Sequence, residues 1–138
     1  MTARHTDAAP AQLRPPAEER WAAELEALAA ADAASGAEIP AGWRLSPRSV
    51  RAFIVGDEDL GVTRKFYGDD PLVDRAVVTL LGRQGLMLVG EPGTAKSMLS
   101  ELLSAAVSGA STLTIQGSAG TTEDHIRYSW NYALLIAE

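Results

Sequence analysis

The sequence predicts an α/β fold, and three observations carry that prediction. An unbroken apolar quartet, Leu86 to Val89, runs into a turn of Gly90, Pro92 and Gly93. A run with helical apolar spacing begins directly behind it at Lys96-Ser97. A second short apolar stretch, Thr112 to Gln116, follows that helix. Strand, loop, helix and strand in that order form a β-α-β unit, whose crossover is expected to be right-handed. A strand that is apolar on both faces suits a parallel sheet covered on each side.

Composition narrows the class of protein. At 138 residues the chain has room for one domain with one core. A net charge of -6 and a pI near 4.9 argue against nucleic acid as the main partner, since phosphate contacts need a basic surface. The longest basic cluster is only Arg64-Lys65. The absence of Cys excludes disulfides and thiolate metal sites. No run approaches the ~18 apolar residues of a membrane span, and the N-terminus has no apolar core of a secretory signal. The expectation is a soluble cytoplasmic protein with neither nucleic acid nor membrane as partner.

Taken in order, residues 1–16 carry Pro10, Pro15 and Pro16 among small and polar residues and are expected to be a disordered tail. Residues 17–42 form an extension of helix and linker. Ala17 to Ala34 is rich in Ala, Glu and Leu, with Trp21, Leu25 and Leu28 on one face. That face is expected to pack on its own domain or on a neighbouring subunit. Ser35 to Gly42 is the linker. Residues 43–138 are the remaining unit. There Ser46-Pro47 reads as an N-cap and first helical position, Val50, Phe53 and Ile54 as the buried face, and Gly56 as the stop. The acids Asp57, Glu58 and Asp59 read as a solvated loop, because consecutive carboxylates do not converge on one ion without special loop geometry. Asp70-Pro71 starts another helix to about Leu81, expected to bury Leu72, Ala76, Val77, Leu80 and Leu81. Gly82 and Gly85 then bracket a turn into the strand. Ser97 to Val107 is a helix with Met98, Leu99, Leu102, Leu103, Ala106 and Val107 as its apolar stripe and Gly109 as its end. Thr121 or Thr122 is expected to cap a further helix. His5 in the tail and His125 near that last helix start read as surface residues.

The chemistry concentrates at Gly90-Glu91-Pro92-Gly93-Thr94-Ala95-Lys96-Ser97, which follows the pattern G-x-x-x-x-G-K-[ST] except that Ala95 stands where Gly is usual. Such a loop gathers backbone N–H groups, a helix N-terminus and one ammonium around a polyphosphate. Lys96 is expected to reach the β- and γ-phosphates of ATP, and the Ser97 hydroxyl to ligate Mg²⁺. Lys96 is one of only two lysines in the chain. Ala95 is tolerable if its backbone is right-handed and costs about 1–2 kcal/mol if its φ is positive.

On these residues the sequence resembles the MoxR branch of the AAA+ ATPases, in which Ala before the Lys is common. The segment Leu113-Thr114-Ile115-Gln116-Gly117, the helix before the loop and the approach from Trp43 to Tyr67 also resemble the family layout. The resemblance covers about residues 43–138. It implies an incomplete P-loop NTPase (AAA+) αβα sandwich with an N-terminal helical extension. It also implies ATP and Mg²⁺ as ligands, and adenine contacts from Phe66, Tyr67 and Gly68. In the intact protein it implies a ring, usually a hexamer, that hydrolyses ATP to remodel partner proteins, with a von Willebrand factor A protein as a possible partner. The family's Walker B acids follow a later strand than either of those read here. The chain is therefore read as an ATP-binding segment truncated before Walker B, with no catalytic residue of its own. The alternative is a non-catalytic interaction fragment that docks on a full-length ATPase subunit.

In AAA+ sheets later strands lie between the first two. If that order holds, Leu86–Val89 and Thr112–Gln116 expose apolar faces and backbone groups in the 138-residue chain. The isolated chain is then expected to be marginally stable or to aggregate. Size-exclusion chromatography with thermal unfolding checks this, and a monodisperse sample with a cooperative transition would contradict it.

Overall fold

The computed structural model describes residues 14–112, 118–120 and 122. Within them the regular elements are helices: α1 (Ala17–Arg20), α2 (Ala22–Ser35), α3 (Pro47–Val55), α4 (Asp70–Leu81) and α5 (Lys96–Ser108). Helix α3 packs against α2, α4 and α5, while α1 touches α2 and α5.

Helix α3 starts as its sequence demands. Ser46 is the N-cap, its Oγ accepts the Ser49 N–H at 3.2 Å, and Pro47 occupies the first turn. Val50, Phe53 and Ile54 are fully buried, as the apolar spacing predicts. The helix stops at Gly56, whose φ of 93° favours a residue without Cβ.

The expected single helix from Ala17 to Ala34 is broken at Trp21, with φ -119° and ψ 32°. The Trp21 ring sits edge-on to Phe53, with centroids 6.0 Å apart, and the Arg20 guanidinium lies 4.2 Å from its centroid. Past the break, Leu25 and Leu28 are fully buried in the same core as Leu45, Val50 and Phe53. The apolar face of α2 is therefore used within the chain. Glu18 of α1 accepts hydrogen bonds from the Ser111 N–H at 3.1 Å and Oγ at 2.6 Å, joining the N-terminal helices to the segment that follows α5.

Helix α4 begins one residue earlier than expected. Asp69 is the N-cap, without a side-chain capping bond, and the Asp70 carboxylate instead pairs with Arg64. Val73, Ala76 and Val77 are buried, Leu72 and Leu80 partly so, and Leu81 is exposed. Helix α5 buries Leu99, Leu102, Leu103, Ala105 and Ala106, and ends at Gly109 in the left-handed region, with φ 74°.

The sandwich expected around Leu86–Val89 is not what the described residues form. These four residues lie outside any strand, and among the described residues the only isolated β-bridge joins Asp57 to Val62. Met87 and Val89 are each 83% exposed, while Leu86 and Leu88 lean on the core. Extended backbone becomes a strand only when a neighbour supplies a ladder, and none of the described residues does so here. The second expected strand, the β-α-β crossover and the helix beyond Thr122 involve residues 113–117, 121 and 123–138, outside the described residues. His5, His125 and the tail up to residue 13 lie outside them too.

Two buried charges hold the helices together. Asp32 on α2 is 4% exposed and accepts from the Ser46 N–H at 2.7 Å, the Ser46 Oγ at 2.6 Å and the Ser49 Oγ at 2.6 Å. Burial alone would raise its carboxyl pKa, but the hydrogen bonds from Ser46 and Ser49 outweigh that and hold it below the usual 3.8. Lys65 is also 4% exposed; its ammonium donates to Glu24, to the Phe53 carbonyl at 3.0 Å and to the Thr63 carbonyl at 2.9 Å. Burial pulls its pKa down against the opposing pull of Glu24.

Because Asp32 has a lower pKa folded than unfolded, its stabilisation is present above pH ~4 and is lost as the pH falls through the folded value. Asp32→Asn should cost about 2 kcal/mol at neutral pH. The gap to wild type should narrow steadily below pH ~4. Urea unfolding at pH 7, 4 and 3 measures both.

Candidate functional site

The loop Gly90–Ser97 leads into α5, a thirteen-residue helix buried along one face. Its N-cap position is Ala95, which makes no side-chain cap, so the first-turn N–H groups are left for an external acceptor. Gly93 has φ 85° and Ala95 φ 58°. The departure from the Gly pattern therefore falls on a left-handed residue, and the methyl is under strain. Gly90 matters for space instead: a Cβ there would lie 3.3 Å from the Thr94 Oγ1 and 3.6 Å from the Lys96 Nζ.

Lys96 folds back over the loop. Its ammonium donates to the Glu91 carbonyl and, at 2.8 Å, to the Thr94 Oγ1. Thr94 Oγ1 in turn donates to the same Glu91 carbonyl at 2.8 Å. The ammonium is thus held by neutral oxygens on an exposed loop, an arrangement that an anion can displace at small cost. Glu91, Pro92 and Ser97 are exposed.

Three clefts meet at Lys96. One, of about 500 Å³, is mostly apolar: Phe66, Leu72, Leu99 and Met87 to Val89 line it together with Gly90, Thr94 and Lys96 of the loop. A second, of about 600 Å³, includes Lys96, Ser97, Ser100 and Glu101. A third, of about 580 Å³, runs over the loop itself from Pro92 to Met98. A polar loop with an uncapped helix start and a mostly apolar cleft thus adjoin at one ammonium.

Of the three residues expected at the base, Phe66 lines the apolar cleft and is 5% exposed. Tyr67 points away, 83% exposed, with the Arg64 guanidinium 5.9 Å from its ring centroid. Gly68 does not line the cleft, but a Cβ there would overlap the Phe66 ring, so glycine is what lets the ring sit as it does. Leu72 and Leu99 are cleft residues that pattern reading assigned only to the core. Asp57 serves its own turn, accepting from the Leu60 N–H at 3.3 Å, and no group of His, Cys, Asp or Glu among the described residues is placed to hold a metal ion.

Residues 85–137 match the sequence model of the AAA domain (dynein-related subfamily), a stretch that begins five residues before the loop and takes in less than half of the chain. The chain is also similar to a protein of Escherichia coli (strain K12), "Uncharacterized protein YehL", with 56% identity over 123 residues. That alignment covers 89% of this chain and 33% of the relative, so the chain spans about a third of the relative's length. An alignment this long exceeds 43–138 and so takes in part of the N-terminal helices, where the motif-based resemblance gave no support. No solved structure matches the chain significantly. Among the described residues no helix is long and apolar enough to cross a membrane.

Ala95→Gly should relieve the left-handed strain while adding freedom to the unfolded chain, for a net gain of up to about 1 kcal/mol. Chemical denaturation reads the sign, and a loss of stability would contradict the strain.

Proposed function

We propose that this chain is the ATP-binding segment of a MoxR-like AAA+ ATPase. The observation that carries the reading is the loop Gly90–Ser97, with Lys96 gathered onto the Glu91 carbonyl and Thr94 Oγ1 at the uncapped start of α5. Those are the groups a triphosphate needs: an ammonium held by a carbonyl and a hydroxyl oxygen, helix N–H groups without a side-chain cap, and a glycine-rich turn. The apolar cleft beside it, walled by Phe66, supplies room for a base. The dynein-related AAA match over 85–137 supports the same assignment.

In this reading Lys96 exchanges its loop oxygens for phosphate oxygens, and Gly90, Gly93, Thr94 and Ala95 shape the loop around them. Glu91 and Pro92 contribute backbone. The Ser97 hydroxyl, exposed in the first turn of α5, would hold Mg²⁺, which when bound offsets the charge of the phosphates. No residue described here is assigned to activate water. Hydrolysis, assembly into a ring and remodelling of partner proteins, including a possible von Willebrand factor A protein, belong to the intact ATPase.

Lys96→Ala should weaken ATP–Mg²⁺ binding by about tenfold or more, because a charge-assisted contact to phosphate is lost. Calorimetric titration of the two proteins checks it, and equal affinities would remove the loop from the reading. Steady-state phosphate release by the 138-residue chain should stay at background.

A further inference from the structure

The only other lysine of the chain, Lys65, is buried, and its neighbour in sequence is the cleft wall Phe66. The two residues part in opposite directions from a shared anchor: both backbone N–H groups donate to the Ile54 carbonyl, at 3.0 and 3.2 Å. The Lys65 side chain, 2% exposed, runs toward α2 and α3, where it meets Glu24 and the Phe53 carbonyl. Its ammonium lies 4.4 Å from the Phe53 ring centroid and 5.4 Å from that of Trp21. The same Glu24 accepts from the Thr63 Oγ1 at 2.9 Å, so one carboxylate of α2 grips the strap 63–65 at two points. On the far side the Gly68 backbone abuts the Phe66 ring. Phe66 carries no polar group on its ring, so its place is inherited from these neighbours.

We propose that the Glu24–Lys65 pair positions Phe66 as the wall of the apolar cleft, so that helix α2 sets affinity for the nucleotide base without touching the nucleotide. The inference rests on the nucleotide reading of the loop. A buried ammonium stays buried only while its carboxylate and carbonyl partners hold it. Without Glu24 the ammonium moves toward water, and the backbone that carries Phe66 moves with it. The phosphate loop is on separate residues and keeps its geometry.

The test compares two ligands on the 138-residue chain: ATP–Mg²⁺, which engages cleft and loop, and inorganic tripolyphosphate, which engages the loop alone. Lys65→Met should lower ATP affinity about fivefold and tripolyphosphate affinity less than about twofold. Glu24→Gln should shift ATP affinity in the same direction by less. Phe66→Ala should match the Lys65→Met loss, and adding Lys65→Met to Phe66→Ala should cost nothing more. Equal losses for both ligands, unchanged ATP affinity or additive effects would overturn the proposal. So would unfolding of both Lys65→Met and Glu24→Gln by circular dichroism, which would assign the pair to stability alone. If the unsubstituted chain binds tripolyphosphate as tightly as ATP, the loop stands and the proposal falls. If it binds neither, the nucleotide reading itself fails and the proposal with it.

Discussion

Helix α3 carries its packing because both of its ends are held by buried charge from elsewhere in the chain. Its N-terminus receives the Asp32 carboxylate through Ser46 and Ser49, and near its C-terminus the Phe53 carbonyl receives the Lys65 ammonium. A negative group at the start and a positive one at the end match the helix dipole, and each satisfies groups that a helix end leaves unpaired. Asp32 comes from α2 and Lys65 from the strap after the Asp57–Val62 turn. The two ends of one short helix therefore fix the positions of the segments on either side. The apolar contacts of Val50, Phe53 and Ile54 supply the burial; the charges tie the helix ends to α2 and to the strap.

The loop obeys a different logic. Its bonds are local, joining Lys96, Thr94 and Glu91 within one turn, and one of its residues, Ala95, is left-handed without being glycine. It rests on α5, whose buried face gives it a rigid base. The extended segment before it leans on the core through Leu86 and Leu88 and turns Met87 and Val89 to solvent. Alternation is what half-buried extended backbone requires. The apolar quartet therefore has one face satisfied and one face without a cover among the described residues.

Much of this was legible from local chemistry. Ser46-Pro47, the glycines at 56 and 109, the spacing of Leu99, Leu102, Leu103 and Ala106, and the loop pattern at 90–97 all speak through neighbours in sequence. The break at Trp21 was not legible. Ala, Glu and Leu favour a continuous helix there, and the interruption comes with an edge-on contact to Phe53, thirty-two positions on. Asp70 looked like a cap because it precedes Pro71, but Arg64 claims its carboxylate. Lys65 gave one weak signal, its rarity in the chain, and that signal drew attention only to Lys96.

The sequence by itself determined where α3 and α5 begin and end, to within a residue, and that a Gly-Pro-Gly turn precedes α5, because caps, glycines and helical spacing act over a few residues. Tertiary structure alone decided which charges are buried, that Phe66 and not Tyr67 faces the cleft, and that Ala95 is left-handed. It also decided that Leu86–Val89 has no ladder among the described residues. Those outcomes depend on partners far away in the chain: Glu24 for Lys65, Asp32 for Ser46, and a neighbouring strand for any strand at all.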